Sequence, residues 1–356
     1  MAELTTRERM TCMYEHRDAD RVPVTDSPWA ATVKRWHREG LPEGVSFSDF
    51  FELDLFPGIS ADNSPRFPVE TLEETDEYVI RTTKWGQTVR NWKNRGSTPE
   101  HIDCKVTTPE VWAEAKARMT PDRDRVDWDA LRKHYASWRE RGAWIRAAFW
   151  FGFDITHSHM VGTETLLMAL VTRPEWVTDM FNHELDVDLA LFEMVWDAGY
   201  EFDSIRWPDD MGYKLSQFFS VDMYRELVKP VHKRAADWAH AKGCKVELHS
   251  CGDIRPFIPD LIDLGVDCLN PLEVKAGVDP LAVKQEFGSD LVLHGGLNAV
   301  LYEKDPEEQW AEMKRVIPEL KKDGGYVAAT DHSVPDTVSL ERFGEFVRLA
   351  KELGTY

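Results

Sequence analysis

Cysteine is scarce in this chain. Five occur among 356 residues, at positions 12, 104, 244, 251 and 268. An odd number at irregular spacings makes no disulfide framework and fits a reducing compartment, so a cytoplasmic location is expected. No uninterrupted apolar run approaches membrane-spanning length. The segment 1–21 is dense in charge and has no apolar stretch, so it does not read as a secretory signal. Positive charge is in deficit: 43 Lys and Arg stand against 63 Asp and Glu, a formal net charge of -20. That balance argues against nonspecific nucleic-acid binding and against anionic membranes. It leaves room for an acidic substrate held by a few arginines. Repeats, low-complexity tracts and a linker long enough to divide the chain are also missing.

What is present suits one large globular unit, with 42% hydrophobic and 30% charged residues. A charged helix over Thr6–His16 precedes a short strand, Arg21–Asp26, and a second apolar segment covers Asp54–Ile59. Residues 66–92 then alternate apolar and polar, with Val, Thr and Tyr prominent and Gly86 beside the run, which predicts an antiparallel hairpin insertion within about 62–105. Thr108-Pro109 opens a helix. From Ala143 onward strands alternate with helices, at Ala143–Phe149, Phe202–Trp207, Lys245–His249, Val266–Asn270, Leu291–His294 and Tyr326–Thr330. Alternation of this kind implies parallel strands with crossover helices. The two early strands bring the count to eight, which favours a single-domain (β/α)8 TIM barrel over residues 1–356. In such barrels the chemistry sits where strands end. Asp26, Trp207 and Asn270 stand at such ends and are candidate substrate contacts. The Asp209-Asp210 pair follows them as a candidate general base or substrate anchor, the alternative being helix capping.

The strand ending at His249-Ser250-Cys251-Gly252 carries most chemistry. Alternate side chains share a face, so Glu247, His249 and Cys251 point one way. A carboxylate, an imidazole and a thiol make half of a zinc site. An isolated His-x-Cys is more often a core feature, but Asp331-His332 follows the last strand of the same barrel. His332 would complete three protein ligands, with Glu247 or Asp331 as a fourth ligand or an orienting partner. Gly295-Gly296 reads as a tight turn, and His157 and His159 as loop histidines.

These residues resemble the uroporphyrinogen decarboxylase superfamily, in its branch of corrinoid-linked zinc methyltransferases. The likeness runs over Thr5-Thr-Arg-Glu-Arg9, Asp20-Arg-Val-Pro-Val24, Met160-Val-Gly-Thr-Glu-Thr-Leu-Leu-Met168, Asp209-Asp-Met-Gly-Tyr-Lys214, His249-Ser-Cys-Gly252, Asn270-Pro-Leu-Glu273 and Asp331-His-Ser-Val-Pro335. The resemblance implies a barrel, zinc on a His-x-Cys pair matched by His249 and Cys251, and a later cysteine whose position falls on His332. The Arg-Gln-Ala-Gly-Arg-Tyr segment of the porphyrinogen decarboxylases has no counterpart at Asp26-Ser-Pro-Trp-Ala-Ala-Thr-Val-Lys-Arg-Trp36. The expectation is therefore methyl transfer between a small methylated substrate, a methoxylated aromatic by preference, and a corrinoid (cobalamin) on a separate protein. The Asp-x-His-x-x-Gly pattern of corrinoid-binding domains is not evident in this chain. The alternatives are a metal-independent decarboxylase, with Arg146 and Arg206 on substrate carboxylates, and a non-catalytic barrel that docks a corrinoid protein.

Overall fold

The computed structural model describes residues 3–93 and 98–356. Seven parallel strands form one sheet in the order Gly58–Ser60, Arg146–Ala148, Ser204–Pro208, Lys245–His249, Cys268–Asn270, Val292–His294 and Tyr326–Val327. The segment around Val24 supplies the eighth position. Its bridge to Ala328 is parallel, with Thr25 N donating to Ala328 O and Ala328 N to Pro23 O. On its other side Asp54 N donates to Val24 O. The sheet is thereby closed into a barrel. Pro23 explains why this member is only a bridge: it has no N–H to continue the ladder.

The strand sequence Lys245–His249 shows how burial is divided. Val246 and Leu248 are fully buried beneath the helical layer, whereas Glu247 and His249 face the barrel interior. Each buried aliphatic side chain of this kind contributes roughly 1.5–3 kcal/mol. Helices cover the sheet where the sequence signals them. Thr5 forms a capping box with Glu8 before the helix Thr6–Tyr14. Thr108 caps Pro109–Arg118, and Ser339 caps Leu340–Gly354. The longest helix, Pro174–Asp197, buries Val177, Phe181, Leu185 and Phe192 against the barrel.

The predicted hairpin is larger than expected. Thr71–Glu74, Tyr78–Thr82, Gln87–Trp92 and Glu100–Cys104 form a four-stranded antiparallel sheet. Gly86 closes the turn between the second and third of these strands, its N–H donating to Thr83 O at φ 86°. The sheet is not free-standing. Gln87 Nε2 donates to Ser158 O, which ties it to the loop after the strand Arg146–Ala148. No helix among the described residues is long and apolar enough to cross a membrane.

Candidate active site

A cavity of roughly 370 Å³ opens at the C-terminal ends of the barrel strands, lined among others by Asp26, Arg146, Arg206, His249, Cys251, Asn270, His294 and His332. That is the low end for a ligand pocket, and its place is the one barrels use for chemistry. His249 is the last residue of its strand. Its Nδ1 lies 2.5 Å from Asn270 Oδ1, an acceptor, so Nδ1 donates and Nε2 keeps its lone pair. Nε2 is 3.6 Å from Cys251 Sγ and 3.7 Å from Asp210 Oδ1. The ligand atoms of Asp210, His249 and Cys251 all lie within 4.8 Å of one another.

Local backbone makes this convergence. Cys251 lies beyond the strand in a turn that Gly252 completes at φ 81°. A Cβ there would sit 2.2 Å from Gly212 C, so only glycine lets the short hairpin at Gly212 pack against the turn. Glu273 Oε2 accepts from Gly252 N, Ser250 Oγ accepts from Met211 N, and Asp210 Oδ1 accepts from Cys251 N at 2.7 Å. Burial, with Arg206 next in effect, holds the His249 imidazole down at about 4. Burial and the Asp154 carboxylate push Asp210 up to about 7. Burial and then Asp210 push the Cys251 thiol well up. A cation among these groups would reverse the last two directions.

Not all of the expected residues meet here. Glu247 lies deeper on the same strand. Its Oε1 accepts from Ser204 Oγ at 2.6 Å and Trp144 Nε1 at 3.1 Å, and its Oε2 faces Arg146 Nε at 2.7 Å. Its nearest ligand-type neighbours are Cys268 and His294, not His249 and Cys251. Because Arg146 already neutralises it, this second cluster offers a poor cation site. Asp331 is also spoken for: its oxygens accept from Ala299 N and Val274 N. That anchoring sends the next residue outward. His332 is exposed on the pocket wall, its ring stacked at 6.5 Å from Trp29, and it lies outside the Asp210–His249–Cys251 group.

Asp209 is fully buried, 2.7 Å from His232 Nε2, and it accepts from Asp154 N. It braces the loop after Ala148 and does not line the pocket. Trp207 faces the helices, packed on Phe151 and His232. The period of two puts its neighbour Arg206 inside instead. Asp26, a pocket residue, accepts from Thr330 Oγ1 at 2.9 Å, and burial pushes it up to about 7. Asn270 reaches the site as expected, but as the group that orients His249. Arg206 was legible from strand alternation, and Glu273 from its place in the strand-end segment Asn270-Pro-Leu-Glu273, though its task of accepting from Gly252 N was not. Gly295 fits the tight-turn reading, since a Cβ on it would meet Pro271 O at 2.3 Å. His157 pairs with Asp154, and His159 lies against Trp85 and Trp150.

The uroporphyrinogen decarboxylase (URO-D) family model matches residues 155–353, more than half of the chain and nearly all of the pocket's C-terminal wall. The chain belongs to this family. A methylated-thiol–coenzyme M methyltransferase of Methanosarcina mazei is 25% identical over 199 residues, covering 54% of this chain and 49% of that protein. The chain thus matches about half the length of that curated relative. A solved methyltransferase from Methanosarcina mazei superposes with a TM-score of 0.67 at 17% identity, over 98% of this chain and 99% of that one. At that identity the likeness speaks for the fold of this URO-D member, and it agrees with the closed barrel.

Proposed function

We propose that this URO-D family member is a zinc-dependent methyltransferase that moves a methyl group between a small methylated substrate and a corrinoid carried by a separate protein. One observation carries the reading. In a tetrahedral zinc site with ligands at about 2.0–2.3 Å, ligand atoms stand about 3.3–3.8 Å apart. The His249 Nε2 separations of 3.6 and 3.7 Å from Cys251 Sγ and Asp210 Oδ1 fit that spacing. Nitrogen, sulfur and oxygen donors on three residues also suit a site with one position left open. Zinc held there supplies Lewis acidity toward a substrate oxygen or sulfur.

The chain's own residues do the rest. Asn270 fixes the His249 tautomer, and Glu273 and Asp210 hold the Cys251 turn. His332, exposed on the pocket rim, stands where it can contact a substrate in the mouth. Among methylated substrates we favour a methoxylated aromatic. The Methanosarcina mazei relative is named for a methylated thiol, and a soft donor set containing Cys251 would also suit such a substrate.

Metal analysis tests the reading. One zinc per chain is expected, lost in His249→Ala and in Cys251→Ala, together with methyl transfer from a methoxy-aromatic to Co(I) corrinoid. Metal-free protein with full activity would sink it. A second reading, a metal-independent decarboxylase of a carboxylic acid, is favoured by Arg146 and Arg206 on the pocket floor. It predicts carbon dioxide release that is indifferent to both substitutions.

A further inference from the structure

Arg206 lines the pocket without a counter-charge among the described residues. Its Nη2 donates to Asn270 Oδ1 at 3.1 Å and lies 3.1 Å from His249 Nδ1. Neither Asn270 nor the neutral His249 ring supplies a counter-charge, and among the described residues Arg206 makes no ion pair. The carboxylate across the strand register from it is Glu247, and Glu247 is engaged by Arg146, Ser204 and Trp144. Arg146 contributes a second open donor: its Nη2 is buried and has no hydrogen-bond partner. Its guanidinium is held in place 4.0 Å over the Phe56 ring. The donor cluster above cannot serve as counter-charge. A dication bound by the Cys251 thiolate and the Asp210 carboxylate is already balanced. A guanidinium taken out of water unpaired is costly, and it presents a planar fork that matches a carboxylate.

We propose that Arg206, with Arg146 Nη2, forms a carboxylate-binding subsite that seats the acid group of the methyl-bearing substrate and turns its methyl group toward the Asp210–His249–Cys251 cluster. The proposal rests on the methyl-transfer reading for the substrate's second half, and it narrows the substrate class to methoxylated aromatic acids. Against a net charge of -20, an anionic substrate needs local positive groups of this kind to enter the pocket.

Calorimetric titration of the intact, zinc-loaded protein with methoxybenzoates and the matching methoxybenzamides tests it, since the two differ in charge and hardly in shape. The acids are expected to bind at least about tenfold more tightly than the amides, the scale of a charge-assisted hydrogen bond. Arg206→Met is expected to abolish that preference and Arg206→Lys to keep part of it. Equal binding of acid and amide by the wild type overturns the proposal, as does an acid preference that survives in Arg206→Met. The wild-type comparison decides alone if Arg206→Met does not fold. Acids that bind as expected but pass no methyl group to Co(I) corrinoid would overturn the methyl-transfer reading and leave the subsite standing.

Discussion

Asn270→Leu separates the orienting role of a side chain from the ligating role proposed for its neighbour. Asn270 touches no member of the donor cluster except His249, through Nδ1 at 2.5 Å. It also accepts from Arg206 and donates to His294 O at 3.0 Å. Leucine keeps the volume and removes all three bonds. The imidazole then loses the acceptor that holds its proton on Nδ1 and its plane toward Cys251. Removing such a partner typically weakens metal binding 10–100-fold, or about 1.4–2.7 kcal/mol at the factor-of-ten conversion. Two neighbouring polar groups are stranded as well, so the apoprotein is expected to lose about 2 kcal/mol of stability. Asn270→Asp is the contrast: it keeps the acceptor and adds a charge beside Arg206, so zinc affinity should be retained. Competition against a chromophoric chelator gives the zinc Kd, and urea denaturation gives the apoprotein stability. Wild-type zinc affinity in a folded Asn270→Leu protein would refute the reasoning, because His249 would then be held by something other than this bond.

Three further outcomes follow from the geometry. Asp209→Leu removes one partner of a fully buried pair 2.7 Å from His232, and urea denaturation should show a loss of about 3 kcal/mol; a loss below about 1 kcal/mol would mean that the pair carries no weight. Gly252→Ala puts a Cβ 2.2 Å from Gly212 C at φ 81°, so it should cost more than about 2 kcal/mol and lower zinc affinity by displacing Cys251, which unchanged chelator competition would disprove. Asp26 is raised to about 7, so the folded state holds its proton more tightly than the unfolded chain does, and its contribution to stability is lost as pH rises from about 4 through 7. The thermal midpoint of Asp26→Asn should therefore gain on wild type across that window, and a pH-independent difference between the two would count against the buried, protonated carboxyl.

The barrel was legible because its signals are local and repeated. Strands such as Lys245–His249 announce themselves by a period of two between helical stretches, and seven of the eight appear within a few residues of their expected places. The first is degraded to a bridge by Pro23. The insertion was read as a hairpin rather than four strands since Glu100–Cys104 is short and carries three polar or charged residues in five. At the site, His249, Cys251 and Asn270 were legible as strand-end residues. Trp207 was misjudged by one position: the alternation that buries it under the helices is the same one that aims Arg206 inward. Asp209 and Asp210 are adjacent and chemically alike, yet one braces a loop and the other faces the pocket. The alternation that aims Arg206 inward, continued past Pro208, puts Asp210 on the pocket side and Asp209 under the helices against His232.

The fate of Glu247 shows why face-sharing alone does not predict a metal site. Residues two apart on a strand are separated by about 6.6 Å along its axis, whereas two ligands of one zinc ion stand about 3.5 Å apart. Glu247 and His249 are both within the strand, so they share a face at different depths. Cys251 escapes that constraint because the strand has ended. The turn at Gly252 folds the chain back and brings Sγ to 3.6 Å from His249 Nε2. The same depth difference gives Glu247 its task, since one layer down it meets Arg146 and leaves Arg206 free. In this chain the His249-x-Cys251 pair converges because the strand stops between the two residues. In this sequence the glycine after Cys251 is the mark of that stop.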